Sequence, residues 1–383
     1  MNSRKQPRVA VLTNVLLPDR YVLFRALQPL IQEFRIFLSS GPELEDPRNR
    51  SLKELPVVRQ KSIRWTREVK NTGGFSEYAE LNVPYDTLFR LLAYKPDVVI
   101  SGEFGARTVL SVIYRLLFNR TTLIVWATCS ERAEAIRGPI RIALRRWMLR
   151  HVDAAYVNGS SGERYIRSLG FKGKVFVIPY AFESDLFSVS RAALGDNGKY
   201  LFCASRLVEG KGLYPFLVVL AKWCSDHLSQ RVNLRIAGYG PELTRLQSVV
   251  APPNLEIEYL GKVPHEQIAD RYHAASIFVF PTFVDEWGLV AVEALGAGLP
   301  VLGSIFSQSV EELIVEGENG WKFDPLDPGS TYDAIGRALL ADRKTLEEMS
   351  RRAVSSVAIL APDILAQRIV DSIHALHESS PAA

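Results

Sequence analysis

Twice along the chain, short runs of β-branched and aromatic residues alternate with segments of helical period, and no other feature constrains the fold so strongly. The first series is RVAVLTN (8–14), RIFLSS (35–40), DVVIS (97–101), TLIVWAT (122–128), AAYVNG (154–159) and KVFVIPY (174–180). It restarts with KYLFCAS (199–205), NLRIAGYG (233–240), LEIEYLG (255–261), SIFVFPT (276–282) and LPVLGS (299–304). Short apolar runs separated by amphipathic helices are the pattern of buried parallel strands with helical crossovers. The restart predicts two Rossmann-like, doubly wound α/β domains, residues 1–182 and 183–362, facing one another across a cleft. A last helix over 363–383 is expected to complete the first. The length of 383 residues suits two cores. The polar stretch 183–198 reads as the linker. Pro362 is predicted to interrupt the closing helical stretches, with Asp363 capping the second. Ligands of such sheets bind at the carboxyl ends of the strands, so the chemistry is sought there.

Composition narrows the class: 47% hydrophobic and 23% charged residues describe a globular protein. The best apolar run, Gly288–Gly303, is broken by Glu293 and Pro300 and does not reach the roughly 18–20 residues of a bilayer span. The first residues, MNSRKQPRVAVLTN, lack the apolar region of a signal peptide, so a cytoplasmic location is expected. Cys129, Cys203 and Cys224 are scattered through apolar stretches without CxxC spacing and read as buried thiols. Residues 1–182 hold 29 Lys and Arg against 16 Asp and Glu, and residues 183–383 hold 17 against 26. A basic first half suggests an anionic partner, either an acidic substrate or an anionic lipid surface. Nucleic acid is not expected, because the second half is acidic and no recognition motif is present.

The segment 276–304 is the most informative. A buried strand ends at Pro281-Thr282, a loop carries Asp285 and Glu286, and Gly288 opens a short helix. The amides of Gly288, Leu289 and Val290 then point outward from the positive end of the helix dipole, which is an anion site. Glu293 lies about 7.5 Å further along the axis in an otherwise apolar helix. It either pairs with an arginine or accepts from the two adjacent hydroxyls of a ribose. The loop CASRLVEGKGL (203–213) carries Arg206 and Lys211 among glycines. These are either solvated charges or, with the Gly288 helix, a diphosphate clamp of guanidinium, ammonium and helix amides. A third turn, AGYG (237–240), brings Gly238 and Gly240. They permit either close approach of a nucleotide or simply a tight strand-to-helix connection.

ASRLVEGKG, AGYGPE, LGKV, YHAASIFVFPT, DEWGLVAVEALGAGLPVLGS and EELIVEGENGWKFDPLD, in that order over 200–325, resemble the retaining glycosyltransferases of family 4, also called group 1. The resemblance continues more loosely through the first half. It implies the two-domain GT-B fold and a nucleotide-diphosphate sugar as co-substrate, UDP before GDP, held by the second domain. Arg206 and Lys211 then meet the diphosphate, Glu293 the ribose, and Lys262 and Val263 the base. The family places a glutamate eight residues before that ribose-binding acid. Here the position is Asp285, followed by Glu286, so either can take the sugar-facing role. No DxD pair is present, so no metal is expected and the leaving group is stabilised electrostatically. The family's His-Asp element is replaced by ATCSERAEAIRG, with Thr128 and Ser130 near it, and retention of configuration is the expected outcome.

In the first half, PIRIALRRWMLRH (139–151) is a basic amphipathic helix, either lying on an anionic membrane or packing its apolar face on the core. The stretch 48–74 is a basic loop with Trp65, and Arg20 and Thr128 stand on the acceptor side. The reading is thus a hexosyltransferase acting on a glycan or lipid-linked acceptor in cell-envelope synthesis, with peripheral membrane contact. Two other readings are weighed. A sugar-nucleotide epimerase lacks acid/base residues in the first domain. A catalytically silent partner subunit that binds nucleotide sugar or membrane is favoured by Asp285 and the missing histidine.

Overall fold

The computed structural model describes residues 7–39, 54–70, 76–118, 120–135, 138–183, 187 and 199–377. Most of the linker expected at 183–198, and parts of the basic stretch 48–74 and of the tail 363–383, lie outside them. Two compact units divide the chain, Met1–Ala181 with Leu360–Ala383 and Phe182–Ile359.

In the first unit, β1 (Val9–Thr13), β2 (Phe34–Leu38) and β3 (Val57–Arg59) are followed by β4 (Ser62–Lys70) and β5 (Ser76–Pro84). Then come β6 (Val98–Gly102), β7 (Thr122–Ala127), β8 (Ala154–Val157) and β9 (Lys174–Val177). Seven of them form a parallel sheet of order β3-β2-β1-β6-β7-β8-β9. Every residue of β7 is buried, because helices cover both faces. Alternate residues of β1 serve opposite cores. Val9 and Val11 pack with Phe24, Ile36 and Leu365, whereas Ala10 and Leu12 pack with Val112 and Leu149. The order reverses beside β1, the switch point at which such sheets open a crevice.

The helix Pro362–His377 belongs to the first unit's core. Leu365, Ala366, Ile369 and Ile373 are buried there, and Tyr156 Oη lies 2.6 Å from Ser372 Oγ. Burial raises the Tyr156 phenol, which stays neutral. The helical run Arg343–Leu376 contains an 18-residue window apolar enough for a bilayer by composition. It is nevertheless interrupted by the 3-10 turn Ala358–Leu360 and by Pro362, and Leu360, Leu365 and Ile369 point into protein. Ile369→Ala is expected to lower stability by about 2–5 kcal/mol through a buried cavity. A shift in the urea midpoint without change in slope checks it.

The second unit contains β10 (Lys199–Ala204), β11 (Val232–Ala237), β12 (Leu255–Gly261), β13 (Ile277–Phe280), β14 (Val301–Ser304) and β15 (Gly320–Phe323). Its parallel sheet runs β12-β11-β10-β13-β14-β15, again with the switch beside the unit's first strand. Leu201, Leu234, Ile277 and Leu302 from the strands pack against Phe216, Leu220, Trp223 and Ile335 from helices. All three cysteines are buried and none is in a disulfide. Burial pushes the Cys203 thiol up to about 12 and the Cys224 thiol up to about 11, so neither is a nucleophile at neutral pH.

Two features depart from the sequence expectation, and a third bears on a helix for which the sequence leaves two readings open. The basic stretch is not a loop: Ser62–Lys70 pairs antiparallel with Ser76–Pro84, in a register that sets Ile63 opposite Val83 and Trp65 opposite Leu81. The adjacent charges Arg67 and Glu68 break the alternation begun at Ile63 and Trp65, which hid a period of two. β15, the sequence GWKF, follows a Gly-rich turn and is recognisable only from its pairing with β14. On the helix Pro139–Leu149, Met148 and Leu149 are buried, but Ile140 is 84% exposed and Leu144 43%. Arg145 turns back to Glu134 at 2.6 Å.

Candidate active site

In the second unit the candidate residues gather at the carboxyl ends of β10, β11, β12 and β13. The β10 loop is tied to its neighbours by its own backbone. Ser205 N–H donates to Ala237 O, Leu207 N–H to Tyr239 O and Phe283 N–H to Gly210 O, at 2.9–3.0 Å. Gly212 has φ +65°, and a Cβ there would stand 2.0 Å from Pro281 O. The Arg206–Lys211 segment and the Asp285 segment are therefore built as one piece, although far apart in sequence.

Lys211 Nζ meets Asp285 Oδ2 at 2.5 Å, both side chains 20% exposed. Asp285 Oδ1 also accepts from Trp287 N–H at 3.3 Å, so one carboxylate shapes the turn and holds the ammonium in place. Arg206 and Glu286 are exposed on the same loops, and the Glu286 carbonyl accepts from Gln308 Nε2. Gly288 follows at φ 100° and caps the helix Leu289–Gly296. Ser307 Oγ donates to Trp287 O at 2.7 Å and Ser309 Oγ to Gly288 O at 3.2 Å, which fixes the helix start. The first-turn amides, including those of Leu289 and Val290, have no carbonyl one turn earlier in the helix to bond.

Glu293 is half-buried, and its Oε2 accepts from Tyr272 Oη at 2.9 Å. Tyr272 is fully buried; that burial, and then the Glu293 charge, raise its phenol well above the ordinary value. It therefore stays a donor and orients the carboxylate. Tyr272 lies in the run YHAAS, where nothing local distinguishes it from a core tyrosine. Gly238 and Gly240 have a structural cause: a Cβ would stand 1.8 Å from Ser205 O and 2.2 Å from Leu207 O respectively. Their smallness serves the packing of two loops on each other. Gly238 N–H donates to Gly261 O at 2.7 Å, which sets exposed Lys262 and half-buried Val263 beside that turn. A larger cavity of about 830 Å³ lies behind the loop, lined by Leu213, Val218, Leu246, Phe283 and Tyr332. It is apolar, and four of the five charged residues lining it pair with one another, Lys222 with Asp226 and Arg245 with Glu242. The converging ionisable groups are at the strand ends instead.

Arg20 and Thr128 lie in the first unit. Both line a cavity of about 130 Å³ at the carboxyl ends of β1, β6 and β7. The Arg20 guanidinium lies 3.6 Å over the Trp126 ring, and Thr128 Oγ1 donates to Glu103 Oε1 at 3.2 Å. Glu103, immediately after β6, has φ 61°, a left-handed conformation unusual for a side chain of this type.

Residues 188–355 match the family model of glycosyl transferases group 1. The second unit is a group 1 glycosyl transferase domain. The chain is 30% identical over 175 residues to an exopolysaccharide phosphotransferase of Streptomyces coelicolor, covering 45% of this chain and 18% of that protein. It is 28% identical over 192 residues to a D-inositol 3-phosphate glycosyltransferase of Corynebacterium jeikeium, covering 48% and 44%. Each match thus spans less than half of the curated relative. By structure, the chain is similar to HepE of Anabaena, solved in complex with UDP. There the TM-score is 0.72 at 15% identity, over 96% of this chain and all of the other. The two parallel sheets are those of the GT-B fold, and the loops described above belong to its glycosyl transferase domain.

Proposed function

We propose that the protein is a retaining, metal-independent hexosyltransferase that moves a sugar from a nucleotide diphosphate, UDP before GDP, to a glycan or lipid-linked acceptor in cell-envelope synthesis. The observation that carries this reading is the Lys211–Asp285 pair beside the Gly288-capped helix, with Glu293 held by Tyr272 on the same helix. Cation and helix amides suit a diphosphate, and an oriented carboxylate suits a ribose diol. In this scheme Arg206 and Lys211 take up charge as the glycosidic bond breaks, and Asp285 or Glu286 meets the sugar. The names of the relatives and the UDP bound by HepE support the donor class. The exposed Ile140 and Leu144, flanked by Arg141 and Arg146, support peripheral contact with an anionic membrane at its cytoplasmic face.

Calorimetric titration with UDP, GDP and ADP, with and without chelator, tests the donor site. One nucleotide is expected to bind in the micromolar-to-millimolar range regardless of chelator, and about tenfold or more weaker in Arg206→Ala and Glu293→Ala. Failure of all three nucleotides to bind, or a requirement for a divalent ion, rejects the assignment. A second reading, a silent nucleotide-sugar-binding subunit, draws on Asp285 already neutralising Lys211. Slow donor hydrolysis in the absence of acceptor would exclude it.

A further inference from the structure

We propose that the cavity at the carboxyl ends of β1, β6 and β7 recognises an anionic group of the acceptor, a phosphate or a carboxylate, through Arg20, Arg107 and Trp126. The word acceptor rests on the glycosyltransferase reading; the anion site itself does not.

Arg20 sits in the first turn of the helix Pro18–Leu27, its side chain 12% exposed and clamped between Trp126, at 3.6 Å, and Tyr180, at 5.5 Å. Its Nη1 is buried and has no protein acceptor. Neighbouring Asp19 does not supply one: its nearer oxygen is 3.9 Å from Arg20 Nε, beyond hydrogen-bond range, and both of its oxygens are buried without partners. Burial raises the Asp19 carboxyl toward its neutral form, which weakens it as a counterion. Arg107, from the helix Ala106–Leu117, is 7% exposed. It is anchored by Nη1 to Ser39 Oγ at 2.9 Å, while its Nε is buried without an acceptor. Ser39 Oγ lies 3.4 Å from Asn14 Oδ1, and Asn82 of β5 donates to that same Oδ1 at 2.9 Å, so the antiparallel hairpin braces this wall. Trp126 Nε1 is a further buried donor without an acceptor.

Arg20, Arg107 and Trp126 all line one cavity of about 130 Å³, close to the ~150 Å³ that admits a benzene-sized group. Although burial lowers the pKa of both arginines, a guanidinium starts so high that it stays cationic at neutral pH. A wall of N–H donors lacking acceptors is costly to bury, and an oxyanion answers it with lone pairs and charge together. Glu103 lines the same cavity but is exposed and already accepts from Thr128, so it suits a sugar hydroxyl beside the acidic group. The basic balance of residues 1–182 draws such a ligand in.

The test titrates the full chain, without nucleotide, with inorganic phosphate, glucuronate and glucose, and follows heat and tryptophan fluorescence. One acidic probe is expected to bind at least tenfold more tightly than glucose, and its identity separates a phosphorylated acceptor from a uronic one. Arg20→Gln and Arg107→Gln are each expected to weaken that probe at least tenfold while UDP affinity stays unchanged. Should Arg20→Gln fail to fold, Trp126→Phe keeps an aromatic ring for the guanidinium to stack on while removing the Nε1 donor and part of the indole's packing, with a threefold or greater loss of the acidic probe expected at unchanged UDP affinity. Equal binding of glucose, binding by neither acid, or full anion affinity in variants that still bind UDP overturns the proposal. Loss of UDP binding in the wild type would instead strike the donor reading and leave this one standing.

Discussion

Lys211→Met is expected to lower sugar transfer by about two to three orders of magnitude, the usual effect of removing one preorganised group that stabilises developing charge. The geometry sharpens the expectation. In the structure the ammonium is held by Asp285 at 2.5 Å, so the variant also strands a carboxylate that is only 20% exposed. The stability cost then falls between the ~0–1 kcal/mol of an exposed pair and the ~3–5 kcal/mol of a buried one. Asp285→Asn separates the two effects, since it frees the ammonium for the diphosphate while removing one of the two acids that could meet the sugar. Nucleotide affinity should hold or improve in Asp285→Asn. If kcat falls there and is unaffected in Glu286→Gln, Asp285 is the sugar-facing acid; the reverse pattern assigns Glu286. Wild-type turnover and UDP affinity in Lys211→Met would remove the clamp from the mechanism altogether.

Gly288→Ala is expected to cost about 2–6 kcal/mol. The residue sits at φ +100°, where a side chain is strained by about 1–3 kcal/mol. The new Cβ would stand 2.6 Å from Ser307 Oγ, 2.7 Å from Phe280 Cε1 and 2.8 Å from Ser309 Oγ, which adds an overpacking cost of about 1–3 kcal/mol. For a domain of this size the melting temperature should fall by roughly 5–20 °C. Ser309→Gly in the same chain relieves one contact but not the backbone strain, so it should restore only part of the loss. A fall of less than about 2 °C in the single variant would mean that the cap at Gly288 is not left-handed in solution.

Much of this architecture was legible in the residues. Eleven of the thirteen parallel strands among the described residues are short apolar runs flanked by helical pattern, a local property visible without any tertiary information, whereas Val57–Arg59 and Gly320–Phe323 are not. The antiparallel pair Ser62–Lys70 and Ser76–Pro84 was not legible either, because the adjacent charges Arg67 and Glu68 break the alternation begun at Ile63 and Trp65, and the pairing of Ile63 with Val83 reveals the period. The site loops announced themselves by Gly, Arg, Lys and paired acids, residue types whose backbone freedom or charge is rarely spent on packing. For Gly238 and Gly240 the sequence leaves two reasons open, close approach of a nucleotide or a tight connection, and the tertiary structure adds a packing requirement, since a Cβ would meet Ser205 O and Leu207 O.

The sequence by itself determined two doubly wound sheets, the glycosyl transferase loops of the second, and which side chains carry charge there. Only the tertiary structure decided how those charges are used. Lys211 and Asp285 are 74 positions apart, Tyr272 and Glu293 are 21, and Ser372 returns across 216 positions to Tyr156. The grouping of Arg20, Arg107 and Trp126 is likewise a product of three strand ends meeting at one switch point. Strand and helix patterns follow from neighbours along the chain. Which buried donor finds an acceptor depends instead on chain crossings whose partners no local pattern names.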